Sequence, residues 1–359
     1  MTPLELLYYA GYSIHKWRGT KIRKILPNKV ISIGNITLGG TGKTPATMAL
    51  TRKAVTIGFQ PCIITRGYKG KAEGPCFVSR GDGPLIDADQ AGDEAMLMAE
   101  TLLGVPIVKG KNRYEAGMFA IENQRFPVSG LQSQRLFILD DGFQHWALHR
   151  DKDILLINGT NPFGNRKLFP LGPLREPLAA MQRADIIVIT DISSPHLTSS
   201  VAEGNGEGVD SREANVRNLT KEIKKYESAK PLYCAQHRPT AFITTSGNTF
   251  ALTDMKNKKI FGFCGIGNPD SFKKTLLSLN TELKGLMIFR DHYQYRMSDF
   301  QRITDNANKS GADWIVTTEK DIMRLRGFSL PENLLALRIE FHVDEQFYED
   351  VFRGIAPLQ

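Results

Sequence analysis

Short stretches that are apolar almost throughout recur along the chain, each closed by a turn signal. They are "KVISIGN" (29–35), "PCIITRGY" (61–68), "VPIVKG" (105–110), "RLFILDD" (135–141), "DILLING" (153–159) and "ADIIVITD" (184–191). Runs that are apolar on both faces suit parallel strands covered by helices on each side, whereas a half-solvated strand would alternate. Helix-length segments separate several of them. In "TPATMALTRKAVTIG" (44–58), Pro45 falls in the first turn and Gly58 at the end, as helix boundaries favour. The alternation predicts an α/β fold with a doubly wound, mostly parallel sheet. Such sheets bind ligands at the carboxyl ends of their strands, so the residues just after each run carry the candidate chemistry.

The pattern breaks at 192–230, a stretch rich in Gly, Ser and charge that reads as a loop followed by an exposed helix near a domain boundary. "PLYCAQHRPTAFITT" (231–245) then reads as two strands of a connecting ribbon. A second set of apolar runs follows: "KIFGFCGIG" (259–267), "GLMIFRDHY" (285–293), "ADWIVTTEKD" (312–321) and "LLALRIEFHV" (334–343). The expected division is an N-terminal helix over 1–24, a larger α/β domain over 25–230, a two-stranded linker over 231–254 and a second, smaller α/β domain over 255–359.

Composition changes this picture little. With 359 residues, 41% hydrophobic and 23% charged, the chain has material for two cores. A formal charge of +8 favours anionic partners such as nucleotides, phospholipid headgroups or nucleic acid without choosing among them; a modestly basic soluble protein needs none. Cys62, Cys76, Cys234 and Cys264 are far apart and form no C-x-x-C pair, which argues against a zinc site or a disulfide framework and for a reducing cytosol. No apolar run approaches the length of a membrane-spanning helix. The first residues, with Glu5 early and positive charge after the apolar part, do not read as a signal peptide.

The strongest motif is "NITLGGTGKTP" (35–45), between the first apolar run and the first helix. It departs from the Gly-x-x-x-x-Gly-Lys-Thr template by having Thr37 in place of the first glycine, but its ending is intact. The segment from Thr37, Leu38, Gly39, Gly40 and Thr41 to Gly42 can turn backbone N–H groups towards phosphate oxygens. Lys43 adds positive charge, and the Thr44 hydroxyl suits Mg²⁺. The competing reading is a glycine turn that binds nothing.

Other candidates follow the strand-end rule. "RLFILDDGFQH" delivers Asp140 and Asp141 to the end of a buried strand, where an acid facing nucleotide-bound Mg²⁺ is expected and where a helix cap is the plain alternative; Gln144 and His145 reach the same rim. "AGDEAML" (91–97) puts Asp93 and Glu94 at a helix entrance, where they either stabilise the dipole or accept a hydroxyl proton. "FRDHYQY" (289–295) places Asp291 and His292 at a strand end in the second domain. "PLGPLREP" (170–177) displays Arg175 and Glu176 on a proline-stiffened loop, suited to transition-state charge and metal coordination or to a surface turn. In the first 24 residues, Leu4, Leu7, Tyr8 and Ile14 share one helical face, followed by Trp17 and the cluster Lys16, Arg18, Lys21, Arg23 and Lys24. That pattern suits an in-plane helix on an anionic membrane, and equally a helix docked on the protein's own core.

Among P-loop proteins, the partitioning and septum-site ATPases carry a leading lysine where this chain has Leu38, and a GTPase would need Asn-Lys-x-Asp, for which "TEKD" (318–321) has the wrong order. A membrane- or DNA-associated ATPase switch of the partitioning type stays as the alternative. The ordered set "SIGNITLGGTGKTP", "TRGYKG", "GDE", "LDDGFQH", "GPLREP", "RDHYQY" and "TTEKD" instead resembles the tetraacyldisaccharide 4'-kinase family over about residues 4–343. The resemblance implies a P-loop domain joined to a smaller one. It also implies ATP and Mg²⁺ as cofactors, and γ-phosphate transfer to the 4'-hydroxyl of a tetraacyldisaccharide 1-phosphate in lipid A biosynthesis. By motif it makes Asp93 the base and His292 its partner. Lys43 and Thr44 become phosphate and Mg²⁺ contacts, Asp140, Asp141, Glu176 and Arg175 metal or catalytic residues, and Arg66 a nucleotide or substrate contact. It further implies a peripheral protein on the cytoplasmic face of the inner membrane. The expected partner is the lipid substrate at an anionic surface, with no nucleic acid and no obligate protein partner.

Overall fold

The structure is a computed structural model in which residues 2–123, 135–191 and 211–355 are described. They form two compact units, one of residues 1–237 with 341–359 and one of 238–340. The second unit therefore begins inside the segment read from sequence as a linker, and residues 341–359 are counted with the first.

The first unit is built on β1 (Lys29–Gly34), β2 (Gln60–Thr65), β3 (Cys76–Ser79), β4 (Ile107–Lys109), β5 (Arg135–Asp140), β6 (Lys152–Asn158), β7 (Ile186–Thr190) and the start of β8 (Leu232–Thr244). Their order is β8-β7-β6-β1-β5-β2-β4-β3. The pairings through this run are parallel, except that the short β3 runs antiparallel to β4. The sequence thus reads correctly as a doubly wound, mostly parallel sheet. Ile33 of β1 lies opposite Asp140 of β5, which brings the loop after β1 and the acids after β5 to one edge.

Helices α1 (Pro3–Lys21), α2 (Lys43–Thr56), α3 (Ala88–Ala91), α4 (Asp93–Thr101), α5 (Arg113–Asn123) and α6 (Ser211–Tyr226) accompany these strands. Ala116 and Ala120 of α5 pack with Val30, Ile64, Val108 and Phe137 in one core. Val216, Leu219 and Ile223 of α6 pack with Leu155, Ile157, Ile187 and Ile189 in another. Each valine, leucine or isoleucine among them contributes roughly 1.5–3 kcal/mol when fully buried. The helix expected to be exposed after residue 192 is therefore half-buried: its stripe at 216, 219 and 223 supplies core. The polar residues 192–210 before it lie outside the described residues.

Helix α1 starts at a capping box in which Thr2 and Glu5 bond reciprocally. Glu5 is nevertheless buried, because its other oxygen accepts the Leu168 backbone N–H at 3.2 Å. Farther along, Gly19 lies so close to Trp146 that a Cβ would overlap it. The helix is thus fastened at both ends while Leu4, Leu7, Ile14 and Trp17 stay exposed.

The second unit contains β10 (Lys259–Cys264), β11 (Glu282–Ile288), β12 (Trp314–Thr318) and most of β13 (Leu334–Val343), parallel in the order β11-β10-β12-β13. The strand β9 (Thr249–Ala251) pairs antiparallel with 241–243 of β8. Neighbouring residues of β10 enter opposite clusters, Ile260 with Phe272 and Leu276 of α7 (Pro269–Ser278), Phe261 with Phe300 and Ile303 of α8 (Met297–Lys309). This is the period-two alternation of a sheet covered on both faces.

The two strands expected over 231–245 are one, β8, of 13 residues. Pro239 is tolerated because it falls between the part paired with β7 (232–234) and the part paired with β9 (241–243). After β13, helix α9 (Glu345–Phe352) packs in the first unit, its Phe352 ring stacked on Phe59 with centroids 5.6 Å apart.

Candidate active site

The loop after β1 is held open by its neighbours. The Leu38 N–H donates to the Pro173 carbonyl at 2.7 Å, the Arg175 N–H to the Ile36 carbonyl at 2.8 Å, and the Asn35 amide to the Thr41 hydroxyl at 3.0 Å. Gly39 and Gly42 take φ of 111° and 76°, in the left-handed region where a side chain strains the backbone. Gly42 is the N-cap of α2, so the first turn and the positive end of the helix dipole face the loop. Lys43 follows, its side chain 16% exposed, with Nζ 3.8 Å from an Asp141 oxygen. Thr44 is buried beside it.

Asp140 and Asp141 have opposite electrostatic fates. The Asp140 carboxylate accepts from the Thr47 hydroxyl of α2 at 3.2 Å and the Thr65 hydroxyl at 3.3 Å. Burial, then the nearby charges of Asp141 and Glu94, push its pKa up to about 6. For Asp141 burial works the same way, but Lys43 and Arg175 outweigh it and hold the carboxyl below its ordinary value. Arg175 donates to both Asp141 oxygens, at 3.0 and 3.1 Å, and to Gln144 at 3.1 Å.

Arg113, from the first turn of α5, is buried behind the acids and donates to the Gly110 and Asp140 carbonyls. Burial lowers its pKa to about 10 against the pull of Asp141 and Asp140.

The structure brings Lys43, Thr44, Asp140, Asp141 and Arg175 together on the loop edge. Glu176 stands behind them, fully buried. Its oxygens accept from Arg183 at 3.0 Å each, Gln144 at 2.9 Å and Tyr12 at 3.1 Å. Through Tyr12, and through the Tyr8 hydroxyl on the Arg175 carbonyl, α1 is tied to the site.

Asp93 is buried at the first position of α4, after Gly92, whose φ is 91°. Glu94 is beside it, close enough to raise Asp140. Arg66 is exposed at the end of β2. The His145 ring is pushed down to about 3 by burial, then Arg113 and Arg150, so it is neutral at physiological pH. Its Nε2 is buried without a hydrogen-bond partner among the described residues. His292 belongs to the second unit.

Several residues at this edge escape the sequence reading. Lys109 closes the strand of the third apolar run and Arg113 comes shortly after it, and Asn158 and Asp191 stand at the ends of the fifth and sixth, so the strand-end rule applied evenly would have found them. The Asn158 amide donates to Asp191 at 2.6 Å and to the Gly40 carbonyl at 3.4 Å. Asp191 also holds Nδ1 of His237, whose ring lies where a Cβ on Gly42 would be. His237 sits mid-strand, and no sequence signal marks it.

Thr44, Asp140 and Asp141 are the side chains at this edge that could hold a divalent cation. Asp140 is a buried carboxylate raised partly by like charges, and a cation among Thr44, Asp140 and Asp141 would relieve that repulsion.

A family model described as LpxK: Tetraacyldisaccharide-1-P 4'-kinase matches residues 1–355. A protein named Tetraacyldisaccharide 4'-kinase from Syntrophus aciditrophicus is 36% identical over 328 residues, 90% of this chain and 83% of that one. One of the same name from Desulfotalea psychrophila is 34% identical over 363 residues, covering 99% of this chain and 96% of its own. A crystal structure of LpxK from Aquifex aeolicus in complex with ATP superposes with a TM-score of 0.72 at 28% identity, covering 98% of this chain and 97% of the other.

Proposed function

The chain belongs to the tetraacyldisaccharide-1-P 4'-kinase family, and from that premise we propose how its own residues perform the reaction. It is an ATP-dependent kinase of lipid A biosynthesis that transfers the γ-phosphate to the 4'-hydroxyl of a tetraacyldisaccharide 1-phosphate, giving the 1,4'-bisphosphate. The observation that carries the reading is a phosphate loop whose Lys43 lies 3.8 Å from Asp141, on the sheet edge that also holds Asp140. The comparisons support this kinase and not the ATPase switch.

The glycine-bent loop and the first turn of α2 bind the phosphates of ATP through backbone N–H groups. Lys43 offsets charge on the transferring group, and Arg175, steadied by Asp141 and Gln144, stands ready to do the same. Thr44, Asp140 and Asp141 are the residues that would hold Mg²⁺, which when bound would supply charge neutralisation to the phosphates. Glu176, committed to Arg183, Gln144 and Tyr12, supports that edge from behind. Asp93 accepts the proton of the attacking hydroxyl, with His292 as its partner, roles supported by their place in the "GDE" and "RDHYQY" strings. Arg66, exposed at the end of β2, and Glu94 are the proposed contacts for the disaccharide, whereas Gln144 is engaged by Glu176 and Arg175 and Nε2 of the His145 ring is buried.

Helix α1 is the proposed membrane contact. Leu4, Leu7 and Trp17 are 54%, 72% and 56% exposed, beside Lys16, Arg18 and Lys21. Among the described residues no helix is long and apolar enough to cross a membrane. The exposed apolar and basic side chains of α1 support a peripheral position on the leaflet that presents the substrate, which we take to be the cytoplasmic face of the inner membrane.

The test is transfer of label from γ-labelled ATP to the disaccharide 1-phosphate in mixed micelles. Label at the 4' position is expected. Hydrolysis of ATP at the same rate with or without lipid, and no labelled lipid, would overturn the reading.

A further inference from the structure

The "TTEKD" string has no part in the phosphate loop, yet in the second unit it converges on the same place as "RDHYQY". His292 follows β11 and takes a φ of 57°, a left-handed conformation unfavourable for a side-chain-bearing residue, so its surroundings must fix it. Its backbone N–H donates to the Gly265 carbonyl at 3.1 Å. Its Nδ1 lies 3.3 Å from a terminal nitrogen of Arg324.

Arg324 is itself anchored. Its other terminal nitrogen donates to the Gly265 carbonyl at 2.8 Å and to Asp321 at 2.9 Å. Asp321, the last residue of "TTEKD", is fully buried and accepts from the Gly265 N–H, the Tyr295 hydroxyl at 3.0 Å and the Thr318 hydroxyl at 2.7 Å. The guanidinium is therefore held by a carboxylate whose own contacts are satisfied on several sides.

A guanidinium has only donors. A hydrogen bond between Arg324 and Nδ1 thus requires a lone pair on Nδ1, and the ring proton of neutral His292 must reside on Nε2. This is the reverse of the usual arrangement, in which a carboxylate accepts from Nδ1–H and leaves Nε2 as the base. Asp291 does not supply that arrangement, since its nearest oxygen is 3.9 Å from Nε2.

We propose that Arg324, anchored by Asp321, is a positioning residue that fixes His292 in the Nε2–H tautomer. The histidine then presents a donor, the polarity needed to bind and orient a carboxylate, and it is not the group that removes the proton from the alcohol. This rests on the reading in which His292 is the partner of Asp93, and it assigns the proton between them.

The test uses the full chain labelled with ¹⁵N-histidine, in which long-range ¹H–¹⁵N spectra distinguish the two tautomers. The His292 signals are identified by their loss in His292→Asn. Wild type is expected to show Nε2–H. Arg324→Leu should populate the other tautomer and lower kcat by about 10- to 100-fold, the usual cost of removing a group that orients a functional histidine, with KM for ATP little changed. Arg324→Lys keeps a donor and should recover part of both readouts. A purely structural role would lower activity without moving the tautomer. Should Arg324→Leu fail to fold, wild type and Arg324→Lys decide the question. The proposal is overturned by an Nδ1–H tautomer in wild type, or by an Arg324→Leu protein with tautomer and kcat unchanged. If the tautomer moves as expected but both Arg324→Leu and His292→Asn turn over like wild type, the role given to His292 falls and only the tautomer assignment stands.

Discussion

Asp140 ties stability to function in a way that can be measured. Its pKa rises from an ordinary 3.8 to about 6, mainly through burial, then through Asp141 and Glu94. The folded protein therefore binds this proton more tightly than the unfolded chain does. The resulting stabilisation is complete below pH 3.8 and is lost as pH rises through 6. A shift of about two units corresponds to about 3 kcal/mol at roughly 1.4 kcal/mol per unit. Asp140→Asn removes the titration while keeping the shape, and the Thr47 and Thr65 hydroxyls can each reverse to suit an amide. Relative to wild type, the variant should gain about 3 kcal/mol between strongly acid conditions and pH 8, about half of it between pH 5 and 8. The assay is urea unfolding of both proteins at those two pH values, without nucleotide or divalent cation. The same variant should transfer little phosphate, because it weakens the proposed metal site. A stability difference independent of pH would refute the electrostatic reasoning, whatever its effect on activity.

Other substitutions probe the remaining parts. Gly42→Ala puts a Cβ into the His237 ring at a left-handed φ of 76°, so ATP affinity measured by calorimetry should collapse. Adding His237→Ala should restore part of it, leaving about 1–2 kcal/mol of backbone strain; wild-type affinity in Gly42→Ala alone would contradict the packing. Lys43→Ala should reduce kcat by roughly 10²–10³, the cost of one preorganised charge contact, and near-normal turnover would remove it from the mechanism. Leu7→Glu combined with Trp17→Glu alters exposed positions only and should leave the melting temperature within a degree or two. Sedimentation with anionic vesicles should nevertheless fall sharply. Undiminished vesicle binding would show that α1 is not the lipid contact.

The sheet was legible because its strands are apolar on both faces. Residues 136–140 of "RLFILDD" and 186–190 of "ADIIVITD" are buried without interruption, as a strand covered on both faces requires. The phosphate loop was legible because a glycine-lysine-threonine ending between strand and helix has a local cause. Where the sequence misled, the cause was long-range. Glu5 is buried although a charged residue near a helix start is ordinarily solvated, because its partner, the Leu168 N–H, is distant in sequence. Residues 231–245 read as two strands, yet β8 runs through them because its two parts pair with different neighbours. The hold of Arg183 on Glu176 depends on how the guanidinium packs against the Phe143 and Trp146 rings, 3.8 Å from each centroid, and no spacing rule announces that.

One topological feature bears on synthesis. The second unit is an insertion: residues 238–340 interrupt the first unit, which resumes at 341. The Tyr233 hydroxyl meets Asp350, and Phe59 meets Phe352, so the phosphate-binding unit lacks part of its core until residues 341–355 have left the ribosome. Chains grow from the N-terminus at about 5–20 residues per second, so the intruding unit is finished before its host. A nascent chain stalled near residue 340 would leave Phe59 and Tyr233 uncovered, a candidate target for chaperones and proteases.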